Sequence, residues 1–121
     1  MRAVIKGFEG LGQEDPETYL SPDPVDDAFW LRMIVGAAES PGRESFDVLV
    51  CTPRWLARTV ADEGPQVGRH RLIVETLDLG RAEDFLRRQV DGLEAPTWDE
   101  LATKIARLGY WEFEDYRPYK T

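Results

Sequence analysis

Cysteine and histidine are nearly absent: the 121-residue chain has one of each, Cys51 and His70. A single cysteine rules out an internal disulfide, and the pair leaves too few soft ligands for a zinc site. Long hydrophobic runs are missing too, since no apolar stretch approaches the roughly 20 residues of a membrane-spanning helix. The first residues, Met1-Arg-Ala-Val-Ile-Lys-Gly-Phe, break into charge after three apolar positions. A signal peptide is therefore not expected, and the cytoplasm is the expected compartment. Basic residues are outnumbered 15 to 23, for a net charge of −8. An acidic surface repels nucleic acid and anionic membrane, so neither is expected as a partner, whereas a basic protein is compatible. Glycine-rich phosphate loops and metal-binding spacings are lacking as well, and no cofactor is expected.

Aromatic and aliphatic residues are plentiful. The chain is 42% hydrophobic and has four Trp, five Phe and four Tyr, enough to build a core. Its length suits one domain spanning 1–121. The acidity sits in two blocks. Residues 7–31 hold seven acids and no base, and residues 91–115 hold seven acids against Lys104 and Arg107. Between them, residues 32–90 balance at nine of each sign.

Arg2–Phe8 alternates weakly and reads as a strand. Residues 9–27 form a long loop that contains the first acidic block, and such a loop in a small domain is often functional. Ala28–Val35 and Ser45–Cys51 are strand-length apolar runs separated by the turn Glu39-Ser-Pro-Gly-Arg, the pattern of a hairpin. Thr52-Pro53 opens a helix, with Thr as cap and Pro in the first turn, and Glu63-Gly64-Pro65 closes it. Arg69–Leu77 reads as a further strand. Asp78 caps a second helix, whose Ala82, Phe85, Leu86, Gln89, Val90 and Leu93 follow helical spacing. Thr97-Trp-Asp-Glu100 is a capping box that opens a third helix, with Trp98, Leu101, Ala102, Ile105 and Leu108 inward. The order β-β-β-α-β-α-α predicts an α+β two-layer sandwich: an antiparallel sheet of about four strands with three helices on one face. Trp30, Trp55 and Trp98 fall at expected core positions. A short tail, residues 110–121, alternates aromatic and acidic residues over Tyr110–Tyr116.

Candidate chemistry is sparse. Cys51 precedes a helix N-cap, where the dipole can lower a thiol pKa, and His70 opens the next strand, so a Cys51/His70 hydrolase is one alternative. The plainer reading makes Cys51 a small core residue and His70 a strand-edge residue. The carboxylate pairs Asp26/Asp27 and Asp99/Glu100 are adjacent residues, poorly placed to converge across a cleft, so no catalytic residue is expected. Two surfaces are candidates for binding a partner. One is the loop block Glu14, Asp15, Glu17, Asp23, Asp26 and Asp27. The other is the tail, where Trp111 is an aromatic anchor within a rim of Glu112, Glu114 and Asp115.

Four blocks together carry a family resemblance: Ser45-Phe-Asp-Val-Leu-Val-Cys-Thr-Pro-Arg-Trp-Leu56, Gly68-Arg-His-Arg-Leu-Ile-Val74, Thr97-Trp-Asp-Glu100 and Gly109-Tyr-Trp-Glu-Phe-Glu-Asp-Tyr116. In this order, across residues 2–116, the chain resembles the immunity protein 8 family, small cytosolic proteins encoded beside bacterial polymorphic toxins. The resemblance implies an α+β immunity protein that binds and neutralises a cognate toxin domain, and it supplies no catalytic residue. A nuclease-type toxin with a basic groove would complement the acidic blocks. A homodimer is left open, and so is an acidic regulatory domain with another protein partner.

Overall fold

The computed structural model describes residues 1–12 and 14–114, so the candidate Asp115 lies outside the described residues. Its elements are β1 (Ala3–Gly10), β2 (Ala28–Ala37), β3 (Glu44–Cys51), α1 (Pro53–Glu63), β4 (Arg71–Ile73), α2 (Leu79–Asp91), α3 (Trp98–Ile105) and β5 (Tyr110–Trp111). The expected α+β class, three helices and element order are all present, and the short β5 is added at the end.

β1, β2 and β3 form an antiparallel meander. A bulge between Ile5 and Gly7 interrupts β1 and sets Lys6 apart. Its ammonium donates to the carbonyls of Ser40 and Gly42 and so pins the β2–β3 loop to the sheet edge. The sheet is mixed, because β4 pairs with β3 in parallel. The physical reason is α1, which carries the chain back along the sheet so that β4 sets out in the same direction as β3. β5 pairs antiparallel with the same edge of β3, but at its other end, Phe46–Asp47.

The pleat divides the sheet cleanly. One face carries Ala3, Ile5, Phe29, Leu31, Met33, Val35, Phe46, Val48 and Val50, and it forms the core with α2 and α3. From α2 come Leu79, Ala82, Leu86 and Val90, and from α3 come Leu101, Ala102 and Ile105, all buried. The expected inward face of α2 is thus right for Ala82, Leu86 and Val90, whereas Phe85 is partly exposed.

Local signals explain the helix starts. Thr52 Oγ1 accepts from Trp55 N (3.4 Å), Asp78 Oδ1 from Arg81 N (3.2 Å), and Thr97 Oγ1 from Glu100 N (3.2 Å). No residue of α1 is fully buried. Arg71, which shares a sheet face with Leu49, lies 6.0 Å from the Trp55 ring centre, so α1 borders the face opposite α2 and α3.

Glu44, at the start of β3, joins the sheet to α3 and β5. Its two carboxylate oxygens accept from the indole N–H groups of Trp98 and of Trp111 (2.8 Å for the latter). The Trp111 ring stacks on Phe46, with centroids 6.2 Å apart. Removing the acceptor leaves two half-buried donors without a protein partner, so Glu44→Ala should lower stability by about 1–3 kcal/mol in urea denaturation.

Candidate functional site

The two acidic blocks meet different fates. Asp27 is built into the fold. Its Oδ2 accepts from Tyr19 Oη (2.5 Å) and Ser21 Oγ (2.6 Å), and its Oδ1 accepts from Ala28 N (2.8 Å). Its backbone meets Thr52, with Asp27 N donating to Thr52 Oγ1 (3.2 Å) and Thr52 N to Asp27 O (3.1 Å). Burial, reinforced by the hydrogen bond to Asp27, pushes the Tyr19 phenol up to about 12. Asp26 pairs with Arg58 of α1 (2.9 Å), whose hydrogen bonds hold its carboxyl below the ordinary range. Asp15 closes a local turn by accepting from Glu17 N (2.9 Å). Glu14, Glu17 and Asp23 are exposed, and none has an ion-pair partner among the described residues. Part of this block converges on α2. Burial raises the Glu83 carboxyl, and Glu17, Asp84 and Asp15 push it the same way against the pull of Arg87.

The two described tail carboxylates are engaged. Glu112 Oε1 accepts from Ser45 N (2.8 Å), and Glu114 pairs with Arg69. Trp111, a candidate anchor, is half-buried and packs against the core. Phe113, by contrast, is partly exposed and lies edge-on to Trp111.

Cys51 and His70 do not form a pair. Cys51 is fully buried, and that burial pushes its thiol up despite the influence of Arg71. His70 Nε2 accepts from Arg69 Nε (2.8 Å), and the ring lies edge-on to Tyr110 at 4.6 Å. Burial holds the His70 imidazole below its ordinary pKa, and Arg69 adds to the effect. With the Cys51 thiol buried and His70 held by Arg69 and Tyr110, these two residues do not make an activated nucleophile.

The feature that sequence reasoning missed is the sheet's second face. Trp30, expected in the core, is 42% exposed, because the β2 register pairs it with Leu49 on the face that α2 and α3 leave open. Tyr110 of β5, 39% exposed, stands 6.2 Å from it, and Arg32 and Asp47 form a two-bonded pair beside them (2.8 and 3.0 Å). Trp30 lies in a continuous apolar run, Ala28-Phe-Trp-Leu, so hydrophobicity hides which side it takes. The adjacent Arg32 is the signal that could have found it: positions 30 and 32 share a face, and a charge on that face argues for solvent.

Two outcomes check this picture. In a spectroscopic titration, one of the four tyrosines should ionise only near pH 12, and Asp27→Asn should lower that value. Because the folded-state value is raised, the stability tied to Tyr19 is complete below pH 10 and is lost as pH rises from 10 towards 12. Separately, Cys51 should resist thiol reagents in the folded protein and react fully in denaturant.

Among the described residues, no group of His, Cys, Asp and Glu is arranged to hold a metal ion, and no helix is long and apolar enough to cross a membrane. No curated protein and no solved structure matches the chain. The sequence model of one family, Immunity protein 8, matches residues 3–116 of the 121. With nearly the whole length covered, the chain belongs to the Immunity protein 8 family.

Proposed function

We propose that this immunity protein acts as a single cytoplasmic domain that binds its cognate toxin and neutralises it by contact, without catalysis. The observation that carries the reading is Trp30, a tryptophan held in the middle of a three-strand meander on an open face. Leaving a large aromatic in water forgoes its burial, and aromatic side chains of this kind are the usual anchors of protein interfaces. Tyr110 widens the apolar patch. The Arg32–Asp47 pair and Glu9, which stands opposite Arg32 in the β1–β2 register, give it a charged rim.

The acidic loop has a second role in this reading. Glu14, Asp15, Glu17 and Asp23 are exposed, with Asp15 and Glu17 near Glu83, and give the protein a one-signed field. That field favours a toxin with a basic, nuclease-type groove and speeds encounter rather than supplying most of the affinity. Asp26 and Asp27 are occupied in holding the loop, so the steering falls to positions 14–23.

The test uses the toxin domain encoded beside this chain's gene, and a neighbourhood without such a reading frame counts against the proposal. Trp30→Ala should keep the wild-type melting temperature within a few degrees and weaken toxin binding by about 2–4 kcal/mol. Protection of cells that express the toxin should fall with it. Wild-type affinity in the folded variant would sink the reading.

A further inference from the structure

The sheet ends on β1 at one side and on β4 and β5 at the other, and β1 and β4 are defended unequally. A bulge bends β1, and Arg87 of α2 covers the strand by donating to Ile5 O (3.2 Å). These are common ways of blocking an edge. β4 lacks them. Leu49 N donates to His70 O (3.0 Å) and Val74 N to Cys51 O (2.9 Å), so residues 70, 72 and 74 turn their backbone groups towards β3. By strand alternation, Arg71 and Ile73 turn their N–H and C=O groups outward. No backbone partner meets them there among the described residues. The space beside this edge is open: a groove of about 760 Å³ runs from His70 to Trp111, and a second of about 650 Å³ follows residues 72–76. Leu72 and Phe85 line both. Ile73 is 57% exposed on the same side of the sheet as Leu49.

Charge then selects the occupant. The larger groove is lined by Arg69, Arg71 and Arg107, and its one acid among the described residues, Glu114, is already paired with Arg69. In a protein of net charge −8, Arg107 is exposed and has no side-chain ion-pair partner among the described residues. A second copy pairing edge to edge would bring the two sets of arginines together, which disfavours self-association here.

We infer that the open edge of β4 takes an extended segment of the toxin, which adds to the sheet as a further strand and sets an acidic side chain against Arg107. This rests on the proposed function and specifies its mode of contact. Backbone pairing along a three-residue strand supplies only a few hydrogen bonds. The apolar walls and the arginines therefore supply the remaining selectivity. The added strand would also border the open face beyond Ile73 and join the edge and the Trp30 patch into one surface.

The experiment titrates the full chain with the neighbouring toxin domain. Ile73→Pro deletes an outward N–H and leaves the β3 ladder intact, as proline on a free edge does. It should melt near the wild type and bind at least tenfold more weakly, whereas Ile73→Val, which keeps the N–H, should bind normally. Arg107→Glu should cause a comparable loss. Hydrogen exchange offers a readout without substitution: the amides of Arg71 and Ile73 should gain protection when the toxin is added to the wild-type chain. If the wild type binds and Trp30→Ala weakens binding, but the Ile73→Pro affinity and both amides are unchanged, the edge inference is overturned and the function stands. If the wild type does not bind the toxin, the function itself has failed. A concentration-dependent dimer of the free chain that Ile73→Pro abolishes would mean the edge serves self-association, which also overturns the inference.

Discussion

One edge of β3 is used twice, and the rest of the architecture follows from how that edge is divided. Leu49–Cys51 receives β4 in parallel, and Phe46–Asp47 receives β5 from the opposite direction. Two short strands running in opposed directions cannot merge into one long neighbour, so a gap stays open between them. Arg69, His70 and Tyr110 stand at that gap. The hydrogen bond from Tyr110 Oη to Arg69 O and the contact of Tyr110 with the His70 ring tie its two sides together. The core needs this arrangement as well, because β5 brings Trp111 onto Phe46 and within reach of Glu44.

Much of this was legible in the sequence. The three caps, Thr52, Asp78 and Thr97, are local chemistry between residues three positions apart, and each forms as the spacing implies. The core faces of α2 and α3 follow from helical periodicity, and β3 follows from its run of β-branched and aromatic residues. The direction of β4 was not legible. It depends on the path of α1 relative to the sheet, which no short-range pattern encodes. The same limit explains Trp30. In a strand of nearly continuous apolar residues, alternation is masked, and only the placement of the helices decides which face is covered.

The site was readable to a lesser degree. Composition located the acidic loop but could not sort its carboxylates, because the partners of Asp26 and Asp27 come from residues as distant as Arg58 and Thr52. Nor could it show that Glu112 and Glu114 hold the C-terminal arm to Ser45 and Arg69. In the loop block, carboxylates that looked equivalent in the sequence divide into those that maintain the structure and those left facing water. Charge counts alone overstate the surface available for recognition.

The bonds around Asp27 give the loop a firm anchor at its far end. At its near end Gly10 lets the chain double back, since a Cβ there would collide with the Glu14 carbonyl. Between these two fixed points, the exposed residues Glu14, Glu17 and Asp23 carry little structural duty. Such a segment can accept substitutions with little effect on folding, much as an antibody loop varies on its constant framework. Changes in this stretch would alter the surface charge while the sheet, the caps and the Glu44 clasp stay as they are.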